Sequence, residues 1–352
     1  MAVPSFSKFA RPPVPRRGQI TDRDLDILDA VLRYRFISAA YLVRLVGGNE
    51  DVTHRRLRML WEWQLLSRWA FPGIRSHSEF YYFIDNQDVL GFLADRRGLI
   101  VHEDMKAEIA NNREKDYGGA AYRGQHMQLG FLQHSLMVSR LHYCLELACR
   151  KSGGAITLAA WAQGSQLAGR KVEVPLVKSR RNGNEYFWEE ADKTERLPVE
   201  PDAMFTLQFA SRTGPPTFSH FFYEADRGTM TTTDMLKKLR AYHHFIKRQQ
   251  KHKQEFGVHP IRAVLVETTD EPRARRLMQL VHHPLVSGPE KRAGLFWFTI
   301  SPMFTAESNG KGGRPLPRYL EQPTAVFEAI WALPDGTLHA LADAENSAAP
   351  PS

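Results

Sequence analysis

Three carboxylates stand on apolar, strand-like runs, where acids are costly unless they are used. Asp202 opens the run Pro201-Asp202-Ala203-Met204-Phe205, and Glu224 and Asp226 lie in Phe221-Phe222-Tyr223-Glu224-Ala225-Asp226-Arg227-Gly228-Thr229. Side chains alternate along a strand, so Glu224 and Asp226 project to one side, with His220 and Phe222 below them. If the two runs pair as a hairpin across Arg212-Thr213-Gly214-Pro215-Pro216, Asp202 comes near Glu224 and the three acids converge. Convergent carboxylates suit magnesium, a hard cation that takes oxygen ligands and leaves positions for phosphate. Asp202 and Glu224 are the candidate ligands, and Asp202, Glu224, Asp226 and Lys238 the candidate catalytic set. In that set a lysine from the following helix, Lys237 or Lys238, would polarise water or steady the charge developing on phosphate. A structural reading stands beside this one: Asp202 as a turn former, and Asp226 bonded to the amides that open the next helix.

The order helix, strand, Asp-bearing strand, acid-bearing strand, helix, strand resembles the PD-(D/E)-x-K nuclease fold. The resemblance fails at one residue, because Asp226 occupies the place of the expected lysine. Gln163, after Trp161, stands where a further acid would strengthen a metal site. A nuclease-like domain that grips DNA without cutting it is therefore preferred to an active enzyme.

The elements that must position these groups follow from hydrophobic periodicity. Strand character is expected over Ala155 to Ala162, Lys171 to Val177, Asp202 to Phe209, Phe218 to Asp226, Ile261 to Glu267 and Leu295 to Ile300. Helices are expected from about Tyr122 to Lys151, Thr231 to Lys251 and Pro272 to Val281. Such interleaving predicts a mixed α+β or α/β domain, a restriction-endonuclease-like sheet flanked by helices. The helix after the acids carries Met235, Leu239, Tyr242 and Ile246 on one stripe. Beside it runs a basic stripe of Lys237, Arg240, His244 and Lys247, read as phosphate contacts or as a solvated face. His243, His244 and His252 lack a metal-binding spacing, and Cys144 and Cys149 read as packed thiols.

Toward the N-terminus, Thr21 can cap a helix whose Leu25, Leu28, Leu32 and Phe36 share a face. Ser38 can cap a second helix carrying Tyr41, Leu42 and Leu45, and Gly47-Gly48-Asn49 supplies a tight turn. A third helix from Glu50 or Asp51 would bury Leu57, Leu60, Trp61 and Leu65. Its N-terminal half gathers Thr53, His54, Arg55, Arg56 and Arg58, where a recognition helix meets the major groove. Ser67 to Phe71 and Glu79 to Ile84 read as two strands of a wing, with Arg75 and His77 at its tip. This is the pattern of a winged helix-turn-helix, which either binds DNA or docks another protein.

The chain has 352 residues, more than one small core accommodates, and 43% hydrophobic and 24% charged residues, as globular proteins do. Its net charge of +8 favours a polyanionic partner. No apolar run spans a membrane, so no membrane association is expected and the cytoplasm is the expected location. The domain expectation is a basic arm over 1–19, the winged helix-turn-helix over 20–85, a helical connector over 86–121, a nuclease-like domain over 122–303, and a C-terminal extension over 304–352. The last part, from about Ala340, reads as a disordered tail.

Several runs together resemble the replication-relaxation family of plasmids and integrative elements. They are the N-terminal winged-helix pattern, Leu129-Gly130-Phe131-Leu132-Gln133-His134-Ser135-Leu136-Met137-Val138, Pro201-Asp202-Ala203, Glu224-Ala225-Asp226-Arg227-Gly228-Thr229 and Lys238-Leu239-Arg240-Ala241-Tyr242. The resemblance implies a link to plasmid replication or to DNA relaxation before conjugative transfer. The expected function is thus a double-stranded DNA-binding accessory or initiator factor, with relaxase or replication proteins and a second copy of the chain as partners. A magnesium-dependent endonuclease and a transcriptional regulator are the alternatives.

Overall fold

The computed structural model describes residues 18–70, 80–114, 126–182, 185–211, 213–287, 294–300 and 322–343. The chain divides into two compact units, Met1–Tyr143 with Gly310–Leu316, and Cys144–Asn309 with Pro317–Ser352.

The first unit begins with α1 (Asp22–Tyr34), β1 (Ile37–Ser38), α2 (Ala39–Val46) and α3 (Glu50–Glu62). The amide and hydroxyl of Thr21 both donate to Oδ2 of Asp24 at 2.7 Å, closing the first turn of α1. Leu25, Ile27, Leu28 and Val31 bury its inner face. Gly47 and Gly48 end α2 with φ of 71° and 75°, a left-handed passage that glycine adopts without a Cβ clash. Asn49 then caps α3 by accepting from the amide of Val52. β2 (Ser67–Ala70) and β3 (Phe80–Phe83) complete an antiparallel sheet of order β1-β3-β2, in register Ile37 to Tyr82 and Ser67 to Phe83.

Three helices follow, α4 (Asp88–Arg97), α5 (Glu103–Glu114) and α6 (His126–Lys151). The unit boundary falls inside α6 rather than at its start, because the helix helps to build the first core. Leu136 packs with Phe36 and Phe83, Ser139 donates to the Tyr34 carbonyl at 2.6 Å, and Tyr143 lies 4.0 Å from Tyr41 between ring centres.

The second unit holds a seven-stranded mixed sheet of order β12-β11-β10-β9-β8-β7-β4. Its strands are β4 (Ile156–Gln163), β7 (Ala203–Phe209), β8 (Thr217–Ala225), β9 (Ile261–Thr268), β10 (Phe296–Ile300), β11 (Ala329–Ala332) and β12 (Leu338–Ala340). Between β4 and β7 the chain makes a separate two-stranded ribbon, β5 (Lys171–Asn182) and β6 (Glu185–Pro198). β8, β9 and β10 run parallel and the outer neighbours antiparallel. α7 (Thr232–His243), with a π-helical continuation over His244–Arg248 and the short α8 (His252–Phe256), links β8 to β9; α9 (Glu271–Val281) links β9 to β10.

One sheet face, including Phe222, Val264, Val266, Phe296 and Phe298, packs against Met235, Leu239 and Tyr242 of α7, Leu277 and Val281 of α9, and Val172, Val174 and Leu197 of the ribbon. On the other face Trp161, Phe205, Phe221, Trp297 and His339 form a row of ring contacts across β4, β7, β8, β10 and β12. The expected mixed sheet flanked by helices is therefore present. Within the second unit, three of the described strands exceed expectation. β6 is rich in charge and hides its periodicity, while β11 and β12 are short and lie in the stretch read as an extension. Ala340 belongs to β12 and Leu341 is fully buried, so order reaches into the segment expected to be a tail.

Candidate functional site

Glu224 is the penultimate residue of β8, on the face covered by α7, and its carboxylate is buried. Lys238 donates to its Oε2 and the Tyr242 hydroxyl to its Oε1. Lys238 and Tyr242 stand at i and i+4 on α7 and so share the helix face that the strand end meets. Burial pushes the Glu224 carboxyl up to about 8, against the opposing pull of the Lys238 charge, and the charge of Asp202 adds to the rise. Burial alone would lower Lys238, but the charges of Glu224, Asp202 and Asp226 hold its ammonium above the usual value. Burial and the Glu224 charge raise the Tyr242 phenol well above its ordinary value.

Asp202 immediately precedes β7, which pairs with β8 in the hairpin anticipated from the sequence. Its Oδ2 accepts from the Ala225 amide at 2.8 Å, which ties it to the end of β8 beside Glu224. Asp226 is engaged differently. Its Oδ2 accepts from Arg273 Nε at 2.9 Å and Thr268 Oγ1 at 2.7 Å, and its Oδ1 from the Gly228 amide at 3.0 Å and Arg273 Nη2 at 3.3 Å. Arg273 also donates to the Met230 carbonyl at 2.9 Å, so this pair fixes the loop from β8 to α7 against α9. Thr231, not Asp226, caps α7.

These residues do not fit magnesium as they are arranged. Both Glu224 oxygens and both Asp226 oxygens receive donors, and the Lys238 ammonium and Arg273 guanidinium among them neutralise these carboxylates and repel a second cation at the same oxygens. Among the described residues no cluster of three or more His, Cys, Asp or Glu can hold a metal ion.

The basic stripe of α7 separates by exposure. Lys237 and Lys247 are exposed. Arg240 is buried, donating to Glu195 at 2.9 Å and to the Pro175 carbonyl, so its guanidinium is committed to the ribbon. His244 is buried too, and burial lowers it to about 4; His243 and His252 fall likewise to about 4.

On α3, Thr53 is buried and receives a bond from Arg23, which also holds the Gly47 carbonyl. Arg56 turns inward to a bidentate contact with the fully buried Asp24. His54, Arg55 and Arg58 are exposed. His54 lies 3.5 Å from Glu50 and Arg58 2.9 Å from Glu62, while Arg55 has no ion pair among the described residues. Arg75 and His77 lie outside the described residues.

Tyr242, Arg273 and Asp24 were not singled out from sequence. Tyr242 read as part of an apolar stripe, although its i, i+4 relation to Lys238 was visible. Nothing in the spacing connects Arg273 to Asp226 or Arg56 to Asp24, since each pair joins distant elements.

The described molecule is thus a two-unit α+β protein with a basic helix face in one unit and a buried carboxylate–lysine–tyrosine cluster at a strand end in the other. The chain belongs to the replication-relaxation family, whose model matches residues 28–261. Comparisons with curated proteins and with solved structures give no match. No helix among the described residues is long and apolar enough to cross a membrane.

Proposed function

We propose that the protein binds double-stranded DNA of a mobile element, as an accessory or initiator factor in its replication, relaxation or transfer. The observation that carries this is the division of α3. Thr53 and Arg56 anchor the helix to α1, and His54, Arg55 and Arg58 are left on its outer face. In this reading the first unit is a winged helix, α3 is its recognition helix and the β2–β3 hairpin its wing. The net charge of +8 supports a polyanionic partner. Exposed Lys237 and Lys247 would add phosphate contacts from the second unit, which is read as a nuclease-like domain that grips rather than cuts. Relaxase or replication proteins would then perform the chemistry, and a second copy of the chain is the expected partner on a two-fold symmetric site. Measuring duplex affinity against salt for the full chain tests this. A linear fall of log affinity with log salt that becomes shallower in R55A/R58A supports it, and an unchanged slope in a folded variant rejects the α3 assignment.

A second reading, a magnesium-dependent endonuclease, is favoured by one observation: Lys238 reaches Glu224 and so could stand in for the lysine displaced by Asp226. It weighs less, because the same contact, with that of Tyr242, occupies the carboxylate a metal would need. Binding at a promoter rather than at a replication or transfer origin would favour a transcriptional regulator instead.

A further inference from the structure

β4 lies at one edge of the seven-stranded sheet, paired with β7 on one side and with no other described strand on the other. Every second residue of such a strand turns its N–H and C=O away from its neighbour, a row of donors and acceptors open to another strand. Folded proteins guard these rows with short strands, charges, prolines or bulges. The opposite edge of this sheet is guarded: β12 has three residues, and its Ala340 amide already donates to Asp343 at 3.2 Å.

β4 is guarded far less. It is eight residues long, Ile156-Thr157-Leu158-Ala159-Ala160-Trp161-Ala162-Gln163, without a charge or a proline. The uncharged stretch extends from Ser152 to Gly169, in a chain of which 24% is charged. Thr157, Ala159 and Ala160 are exposed. The guard it does have is a bulge between Leu158 and Ala160, which leaves Ala160 to Gln163 as a straight length.

The sheet face beside this edge is uncharged as well. The register places Thr157, Gln208 and Phe218 side by side across β4, β7 and β8, and next to them Ala160, Thr206 and His220. Phe218 is 45% exposed in this row, and burial lowers His220, which is neutral at pH 7. Phe218 stands two strand spacings from β4, roughly 10 Å, so a strand added at the edge extends the same open face.

A two-fold contact sets a surface against its own copy, so any charge on it would meet its like. An uncharged edge carries no such penalty, and two antiparallel copies of one strand satisfy each other's open amides and carbonyls. We propose that two copies of the chain join through β4, each β4 pairing antiparallel with the other about a two-fold axis, so that the two seven-stranded sheets become one. The dimer does not depend on DNA binding; it supplies the second copy that a two-fold symmetric site calls for.

Sedimentation of the full chain without DNA, over about a hundredfold range of concentration, tests this. The parent should pass from monomer to dimer, and hydrogen exchange in the peptide covering 156–163 should slow over the same range. A159K/A160K, with both substitutions at exposed positions, should weaken the dimer at least about tenfold, since each new charge approaches its copy across the axis. A dimer of unchanged strength in the folded variant overturns the proposal. So does a parent dimer whose 156–163 amides exchange as they do in the monomer, a readout that needs no substitution. A parent that stays monomeric throughout overturns it too, and leaves the edge to a strand of another protein. Because no duplex is present, failure of the DNA-binding reading leaves this result standing, and the reverse holds.

Discussion

Lys238 and Glu224, fourteen residues apart, meet where the end of β8 passes under α7, with the Glu224 carboxyl buried and the Lys238 side chain half-buried above it. Three converging carboxylates would raise one another's pKa by repulsion. The rise at Glu224 is real, but its first cause is burial, with the Asp202 charge a smaller contribution. Asp226 is drawn off to Arg273 and takes no part in a three-acid centre.

The raised Glu224 value makes stability depend on pH in a stated direction. An acid whose folded pKa lies above its unfolded value stabilises fully below the unfolded value, near 4.5, and that contribution is lost as pH rises through about 8. The urea midpoint should therefore fall between pH 5 and pH 9 more steeply in the parent than in E224Q. At pH 9 the variant should be as stable as the parent or more so. Parallel pH profiles would reject the buried-acid assignment.

Removing only the lysine should be worse than removing both charges. K238M leaves Glu224 buried without its cation, and breaking such a pair costs about 3 kcal/mol. The loss should be larger at pH 9 than at pH 6, where Glu224 takes up a proton instead. The double variant E224Q/K238M should recover much of it. A double variant no more stable than K238M in chemical denaturation would show that the two side chains are not energetically coupled.

Neighbouring arginines on α3 should separate binding from folding. R56A strands Asp24, which is fully buried, and should cost about 3 kcal/mol in thermal or urea unfolding. R55A, on an exposed side chain with no ion pair among the described residues, should change stability by less than about 0.5 kcal/mol and lower duplex affinity. Equal effects of the two on stability would contradict the division of the helix.

The parent protein should not nick supercoiled plasmid DNA in magnesium, since both Glu224 oxygens already accept bonds from Lys238 and Tyr242. Magnesium-dependent nicking that disappears in E224Q while duplex affinity persists would establish the endonuclease reading.

Much of this arrangement was legible in the residues. Period-2 and period-3.6 patterns located the α1 to α3 helices and the strands carrying Asp202 and Glu224, and the Gly214-Pro215-Pro216 turn implied their pairing. Lysine substitution from the following helix was legible because α7 leaves directly from the acid-bearing strand. What escaped were relations with no local signal. Whether Arg55 or Arg56 faces inward depends on Asp24, more than eight helical turns away in sequence terms. Arg240 reads as one member of a basic stripe until β6 places Glu195 beside it, and β6 itself carries too many charges to alternate visibly.

The outermost strands, β11 and β12, follow every other strand of the sheet in the chain yet complete its β10 edge, where His339 stacks on Trp297 at 4.9 Å and Arg262 donates to the Leu341 carbonyl. During synthesis, then, the second unit stays unfinished until these residues leave the ribosome. A transcript broken before them yields a chain with an uncovered tryptophan and an open strand edge, the features by which aggregation begins and by which quality-control proteases recognise a damaged product.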